Sequence, residues 1–285
     1  MTKTFVSWIS WSALTVMALP GQQPEFETTR VADGVFQYRY QGHNGVFVVS
    51  DGGVIAFDPI STEAASHYAD EIKRVAPGKP LLAIVYSHSH ADHATGALVL
   101  QEAFDVAVPI VAHENARVEI EQMADPNLPS PTLTFTSGLT LYLGGRPIEL
   151  AYIGRNHSDN SLVALVPDVR VAFAVDFVAT DRVGYRDLGS FHFPDLFQSL
   201  VELRNLDFDT IVFGHGPPGD VASVDRQIRY YNDLRTAVEA AVRNGLSEDE
   251  AANQITLDDY AHWSGYEDWF AMNVRGMYRW AGGGR

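Results

Sequence analysis

The chain has no cysteine. That excludes disulfides and thiolate metal ligands, leaving any metal to nitrogen and oxygen donors, and it does not fix the redox compartment. Basic residues are scarce: Lys plus Arg is 20 against 36 Asp plus Glu, a formal charge of −16. A surface this acidic repels phosphate backbones, which argues against nucleic acid as a partner. No Gly-x-Ser-x-Gly elbow occurs, so the serine-nucleophile machinery of the α/β-hydrolases is not expected, and no glycine-rich phosphate loop is found. No Ser/Pro/Gly tract divides the sequence like a linker. What is present is globular material: 285 residues, 46% hydrophobic and 20% charged, ample for a core.

The first residues stand apart. Met1-Thr2-Lys3 carries one positive charge, Phe5 to Leu19 is mostly apolar, and Pro20-Gly21 ends the run. This resembles a secretory signal peptide and is too short for a comfortable membrane span. Residues 1–22 are therefore expected to be a leader, and 23–285 a single domain in the periplasm or secreted. The alternative is a leader-like segment packed on a cytoplasmic domain.

The densest chemistry is Ser87-His88-Ser89-His90-Ala91-Asp92-His93-Ala94. It follows Leu81 to Tyr86, a short apolar run preceded by Pro77-Gly78-Lys79-Pro80, which reads as a buried strand. A helix is expected from Thr95. Strand-to-helix corners are where α/β sheets place their chemistry. Three imidazoles and a carboxylate within six residues are not what a core selects, whereas imidazole and carboxylate are normal ligands of a divalent metal. The plainer reading is a solvated turn.

The rest of the chain offers single residues at comparable places. The spacing predicts an antiparallel meander over Val35–Tyr40, Val46–Ser50 and Val54–Pro59, with Gly42-His43-Asn44-Gly45 as a turn. Helices follow over Glu63–Val75 and Glu114–Met123, with Ser61 or Thr62 as cap of the first. Beyond the β-like run Ile148–Ile153 comes His157. Alone, a loop histidine is more often a surface residue. Val171–Val175 delivers Asp176 at the end of an apolar strand, where an unpaired carboxylate is costly unless metals stand beside it. Thr210–Phe213 delivers His215 between two glycines that permit close backbone approach. Helices are expected over Phe193–Leu206, Val221–Asn244, Ser247–Ile255 and Asp268–Trp280.

His88-x-His90-x-Asp92-His93, with His157, Asp176 and His215 downstream, resembles the motif set of the metallo-β-lactamase superfamily. The resemblance runs from about residue 30 to the last helix. It implies a four-layer αββα sandwich of mixed α/β (α+β) class. It further implies that His88, His90 and His157 bind one metal and that Asp92, His93 and His215 bind another. Asp176 would bridge both, and Asp58 would support the metal loop from behind. Some β-lactamases of the superfamily have cysteine where this chain has Asp176, so the chain leans toward the thioesterase and lactonase members. Two zinc ions are the expected cofactor, iron and manganese also accepting such donors. The implied chemistry is hydroxide attack on a carbonyl, with Asp92 or a metal-bound water supplying a proton to the leaving group.

Three segments are placed to line the substrate mouth: Tyr40–Gly45, Asp181–Asp195 with Tyr185 and His192, and the aromatic-rich Asp258–Phe270. Most of those last aromatics are expected to pack helices onto the sandwich. The first expectation is hydrolysis of a cyclic amide or ester, a β-lactam or a lactone. Two alternatives are a glyoxalase II-like thioesterase and a persulfide dioxygenase-like enzyme with one iron.

Overall fold

A computed structural model describes residues 25–282, so the leader-like run lies outside the described residues. The chain opens on β1 (Phe26–Ala32), β2 (Val35–Tyr40), β3 (His43–Ser50) and β4 (Gly53–Phe57), paired antiparallel in sequence order. From sequence the meander begins at Val35. The structure adds β1, whose Phe26-Glu27-Thr28-Thr29-Arg30 is too polar to signal a strand because it is a largely exposed edge. A second correction bears on function. The predicted turn Gly42–Gly45 is a tighter turn at Gln41-Gly42, and His43 and Asn44 are already paired in β3, opposite Tyr40 and Arg39.

Helix α1 (Thr62–Val75) follows, with the Ser61 side chain accepting from the Ala64 N–H as its cap. Strand β5 (Leu81–Val85) lies parallel to β4. The helix expected from Thr95 is α3 (Ala97–Ala103), and a short helix α2 (Ala91–Ala94) lies before it within the histidine-rich turn. Helix α3 starts after Gly96, whose φ is 103° and whose missing Cβ would sit 2.5 Å from the Ser61 carbonyl oxygen. No other residue fits there. Strand β6 (Ile110–His113), helix α4 (Glu114–Met123) and strand β7 (Leu133–Phe135) complete a seven-stranded sheet in the order β1 to β7.

The second sheet repeats the plan. Strands β8 (Gly138–Leu143), β9 (Arg146–Ala151), β10 (Val163–Val166) and β11 (Val171–Ala174) form a meander. Helix α5 (Asp195–Arg204) then crosses to β12 (Thr210–Phe213), parallel to β11. Helices α6 (Val221–Arg243), α7 (Glu248–Gln254) and α8 (Tyr266–Ala281) close the chain. Ser247 and Glu250 form the reciprocal cap that their spacing predicts.

Strand alternation explains the layering, since successive side chains point to opposite faces. In β3 and β4, Val46, Val48, Ile55 and Phe57 face the other sheet, while Phe47, Val54 and Ala56 face α1, α3 and α4. In β11 and β12, Val171, Phe173 and Val212 face inward, while Ala172, Ala174, Ile211 and Phe213 face α5 to α8. Both faces of both sheets are apolar, so each sheet needs a cover on each side. The result is the αββα sandwich, with three apolar layers between four layers of structure.

The long connection between β11 and α5 is held by α8. The buried Asn273 donates through Nδ2 to the carbonyls of Gly184 and Arg186 and accepts from the Tyr230 hydroxyl at 2.6 Å. Gly276 lets the same connection lie against the helix: a Cβ there would be 1.8 Å from the Asp187 carbonyl oxygen. Gly276→Ala is therefore expected to destabilise by about 1–3 kcal/mol through overpacking. Thermal unfolding checks it, at roughly 2–4 °C per kcal/mol for a chain of this size class.

Candidate metal centre

The strand ends converge. Asp58 directly follows β4, and Ser87 to His93 follow β5. Asp176 follows β11, His215 follows β12, and His157 lies in the connection from β9 to β10. Backbone bonds knit these loops together: Leu162 N–H donates to the Ser87 carbonyl at 2.8 Å, and Ser89 N–H donates to Asn160 Oδ1 at 3.0 Å. Asp58 and Asp176 are both non-glycine residues in the left-handed region, at φ 46° and 70°. Such backbones cost about 1–3 kcal/mol and persist where the surroundings demand a particular side-chain aim.

The two oxygens of Asp176 face different histidines. Oδ2 is 3.3 Å from His88 Nε2 and 3.4 Å from His157 Nε2. Oδ1 is 3.4 Å from His93 Nε2 and 3.1 Å from His215 Nε2. His90 joins the first set through Nδ1, 3.0 Å from His157 Nε2. Two donors about 2.1 Å from one ion, subtending about 90–110°, are about 3.0–3.4 Å apart. Every one of these separations falls in that window.

All seven residues expected from sequence are therefore near one another, but Asp92 is not grouped as expected. Its carboxylate belongs with His43 and His215, while His93 groups with Asp176 and His215. Asp92 is half-exposed, and its Oδ2 is 3.3 Å from His43 Nε2. His43 falls in the Tyr40–Gly45 segment expected at the substrate mouth, but the sequence carries no signal that it faces Asp92. Its strand register could not be seen in the short segment Gly42–Gly45.

The outer hydrogen bonds fix which nitrogen is free. Asp58 is fully buried and accepts from the Ser87 N–H and Ser87 Oγ, each at 2.7 Å, and from His93 Nδ1 at 3.1 Å. Ser87 Oγ, its proton on Asp58, in turn accepts from His88 Nδ1 at 2.9 Å. His215 Nδ1 donates to the Gly42 carbonyl at 2.7 Å. One aspartate thus orients two histidines, directly and through a serine, and turns each Nε2 toward Asp176.

The electrostatics are those of a site short of positive charge. Burial alone would raise the Asp176 carboxyl, but His93, His215 and His88 outweigh it and hold it well below the usual carboxylate range. Burial would lower His93, yet Asp176 and Asp58 pull it well above the ordinary imidazole value. His157 is pushed down to about 3, by burial first and then by the neighbouring histidines against the pull of Asp176, and so keeps a free lone pair. Asp92 is lowered too: His43 and His93 overcome its desolvation.

Among the described residues, His88 Nε2, His93 Nε2 and Asp176 Oδ1 are buried without a hydrogen-bond partner. Buried orphans of this kind cost about 1–3 kcal/mol each. Three of them converging on the same space, all nitrogen or oxygen, fit a divalent metal. Gly214 keeps that space open: a Cβ there would stand 3.1 Å from His93 Cε1 and 3.2 Å from Asp176 Oδ1.

A cleft of about 440 Å³ opens over this cluster, with Asp92, His90, His157, Asp176 and His215 in its floor. Its walls include Val178, Val183, Arg182, Tyr185 and Tyr231. The Arg182 guanidinium lies over the Trp269 ring at 5.1 Å and has no ion-pair partner among the described residues. Of the sequence candidates, Tyr185 lines this cleft. His192 lies instead in a second cleft of about 560 Å³, which shares His90, His157 and Ser190 with the first. From Asp258–Phe270, Trp269 reaches the site region by supporting Arg182, whereas Tyr260, Trp263 and Phe270 are buried in the helix layer.

The family model of the metallo-beta-lactamase superfamily matches residues 39–215, which spans the cluster from His43 to His215. The chain belongs to the metallo-beta-lactamase superfamily. A 2,4-dinitroanisole O-demethylase subunit alpha from Nocardioides is 29% identical over 65% of this chain, which spans 54% of that protein's length. A type 2 metallo-beta-lactamase from Elizabethkingia meningoseptica is 20% identical over 82% of this chain and 98% of its own length. Among solved structures, a metallo-beta-lactamase from Pontibacter korlensis superposes with a TM-score of 0.63 at 20% identity, covering 73% of this chain and 99% of that one. At this identity the structural likeness speaks for the shared sandwich, and the histidine and aspartate cluster is the metal-binding feature the superfamily builds on it.

Asp58→Ala removes the acceptor of His93 Nδ1, Ser87 Oγ and the Ser87 amide together. It is expected to weaken metal binding about 10–100-fold. Competition between the chain and a chromogenic chelator for zinc measures it.

Proposed function

We propose that the chain is a binuclear metal hydrolase that opens a cyclic amide or ester, a β-lactam or a lactone, bearing an anionic group. The observation that carries the binuclear part is the division of Asp176, one oxygen toward His88 and His157 and the other toward His93 and His215. On this reading His88, His90, His157 and Asp176 would hold one ion, and Asp92, His93, His215 and Asp176 the other. Zinc suits the donors, with iron and manganese as alternatives. Bound there, a divalent metal supplies a water acidified to near neutral pH and a Lewis acid for a carbonyl oxygen.

The chain's own groups do the rest. Asp92, half-exposed in the cleft floor and ionised at neutral pH, is the carboxylate placed to receive a proton and pass it to the leaving atom. Val178, Val183 and Tyr231 offer an apolar wall to the substrate ring. Arg182 offers a charge that forms no ion pair among the described residues, already oriented by Trp269. A carboxylate on the substrate is the simplest partner for it.

An oxygenase with one iron would leave the His93, His215 and Asp92 side without a metal, so the paired aim of Asp176 favours the hydrolase. The O-demethylase relative adds one substrate type worth including, an aryl methyl ether. In the described residues no helix is long and apolar enough to cross a membrane. The leader-like first residues support a periplasmic or secreted setting, for which N-terminal sequencing of the protein recovered from cell fractions is the test.

Zinc-loaded protein is assayed on a chromogenic β-lactam, a homoserine lactone, a lactoylglutathione-type thioester, an aryl methyl ether and a phosphodiester. Turnover of the β-lactam or the lactone, lost in His88→Ala together with bound metal, is the expected result. Activity surviving complete metal removal overturns the proposal. Arg182→Ala is expected to raise KM about ten-fold or more for a carboxylate-bearing substrate, the range of a charged hydrogen bond. A neutral analogue serves as the control and should keep its KM.

A further inference from the structure

We propose, resting on the binuclear reading above, that His43 is a metal ligand, joining Asp92 and His215 at the second position. That position then has five protein donors, His43, Asp92, His93, His215 and Asp176, against four at the first, His88, His90, His157 and Asp176.

Distance is the first argument. His43 Nε2 is 3.3 Å from Asp92 Oδ2. This is long for an N–H to carboxylate hydrogen bond, which prefers about 2.7–2.9 Å. It matches the 3.1–3.4 Å separations by which Asp176 faces its four histidines. The rings agree: His43 stands edge-on to His215 at 4.7 Å, the same centroid distance as His90 to His157. One donor atom each from His43, Asp92 and His215 lies within 4.8 Å of the others.

The backbone around His43 is also held in place independently of that contact. The buried Asn44 donates its N–H to the Gly214 carbonyl at 2.8 Å and its Nδ2 to the carbonyls of Phe213 and Gly216 at 2.9 and 2.8 Å. On the other side of His43, the Gly42 carbonyl accepts from His215 Nδ1 at 2.7 Å. The residues flanking His43 are thus bonded to the loop that carries His215. Gly45 permits the approach, since a Cβ there would be 2.5 Å from the Asp58 carbonyl oxygen. A hairpin fixed this firmly presents His43 at a set distance, as a ligand requires.

The consequence is an asymmetric centre. Four donors suit tetrahedral zinc at the first position. Five donors without sulfur suit an ion that accepts five or six ligands, which shifts relative preference at the second position toward manganese or iron.

The test is a stepwise titration of the full chain with cobalt(II), followed by visible absorption, and with zinc against a chelator, for the wild type, His43→Ala and His43→Gln. The expected result is two equivalents in the wild type. In His43→Ala the second binds about ten-fold or more weakly, the first is unchanged, and the cobalt bands at the second position intensify as the coordination number falls. Glutamine keeps an N–H donor for Asp92 but is a poor ligand, so His43→Gln should behave like His43→Ala. Restoration by glutamine overturns the proposal in favour of a hydrogen bond to Asp92. Unchanged second-equivalent affinity in both variants, or equal loss of both equivalents, also overturns it. Fewer than two equivalents in the wild type overturns the binuclear reading itself, a separate outcome.

Discussion

Everything in this structure answers to a carboxylate in the wrong place. Asp176 is one-tenth exposed, held at φ 70°, and ringed by four histidines within 3.4 Å. A lone carboxylate in such a setting would take up a proton or unfold its surroundings. Here four imidazoles lie around it, and two of their nitrogens have no other partner. Neither the aspartate nor the histidines make sense separately. The histidines are buried beside a charge that needs them, and the charge is buried beside donors that need a cation.

The fold makes that crowding affordable by making everything nearby rigid. Each sheet is apolar on both faces, so its strands are clamped between layers and their ends are placed accurately. Both sheets run from an antiparallel meander into parallel strands, β4 to β7 in one and β11 to β12 in the other. Parallel neighbours end at the same edge, which is why Asp58, the His88 loop, Asp176 and His215 meet. Three buried asparagines then tie loop to loop: Asn44 joins the hairpin to the His215 loop, Asn160 joins the His157 loop to the His88 loop, and Asn273 holds the cleft wall to α8. Amides suit this task because one side chain can satisfy several backbone groups at once.

Much of this was legible in the sequence, and the exceptions have physical causes. His88, His90 and His93 announced themselves because unlike residues of one chemistry rarely crowd a strand end by chance. Asp176 and His215 stood out as polar residues ending apolar runs. Helix bounds with side-chain signals, such as Ser247 with Glu250, were recovered closely. The strand β1 was invisible because an exposed edge has no apolar alternation to read. The start of α3 after Gly96 rather than at Thr95 was invisible because its cause is the Ser61 carbonyl, 35 positions earlier in the chain. His43 and Arg182 were hidden for the same reason. A histidine in a hairpin and an arginine in a long loop acquire meaning only from Asp92 and Trp269, which pair with them across the fold.

Charge ties the site to its surroundings. The chain carries −16 overall, yet an anionic substrate is the one that Arg182 suits. The conflict dissolves on the scale of the cleft. Asp58, Asp92 and Asp176 are carboxylates at the centre and Glu119 stands behind Ser89 and Asn160, and two divalent ions would bring four positive charges against those four. The loaded cleft would then be balanced, and Arg182 in its wall would tip it toward positive charge. At physiological salt, charges beyond about 8 Å are largely screened, so the acidic surface is felt weakly inside it. On the proposed binuclear reading, an acidic exterior would repel phosphate polymers, while the local field at the cleft floor would still receive a small anion. On the same reading, selectivity by size and charge together would follow from keeping the positive charge at the bottom of a 440 Å³ cleft rather than on the surface.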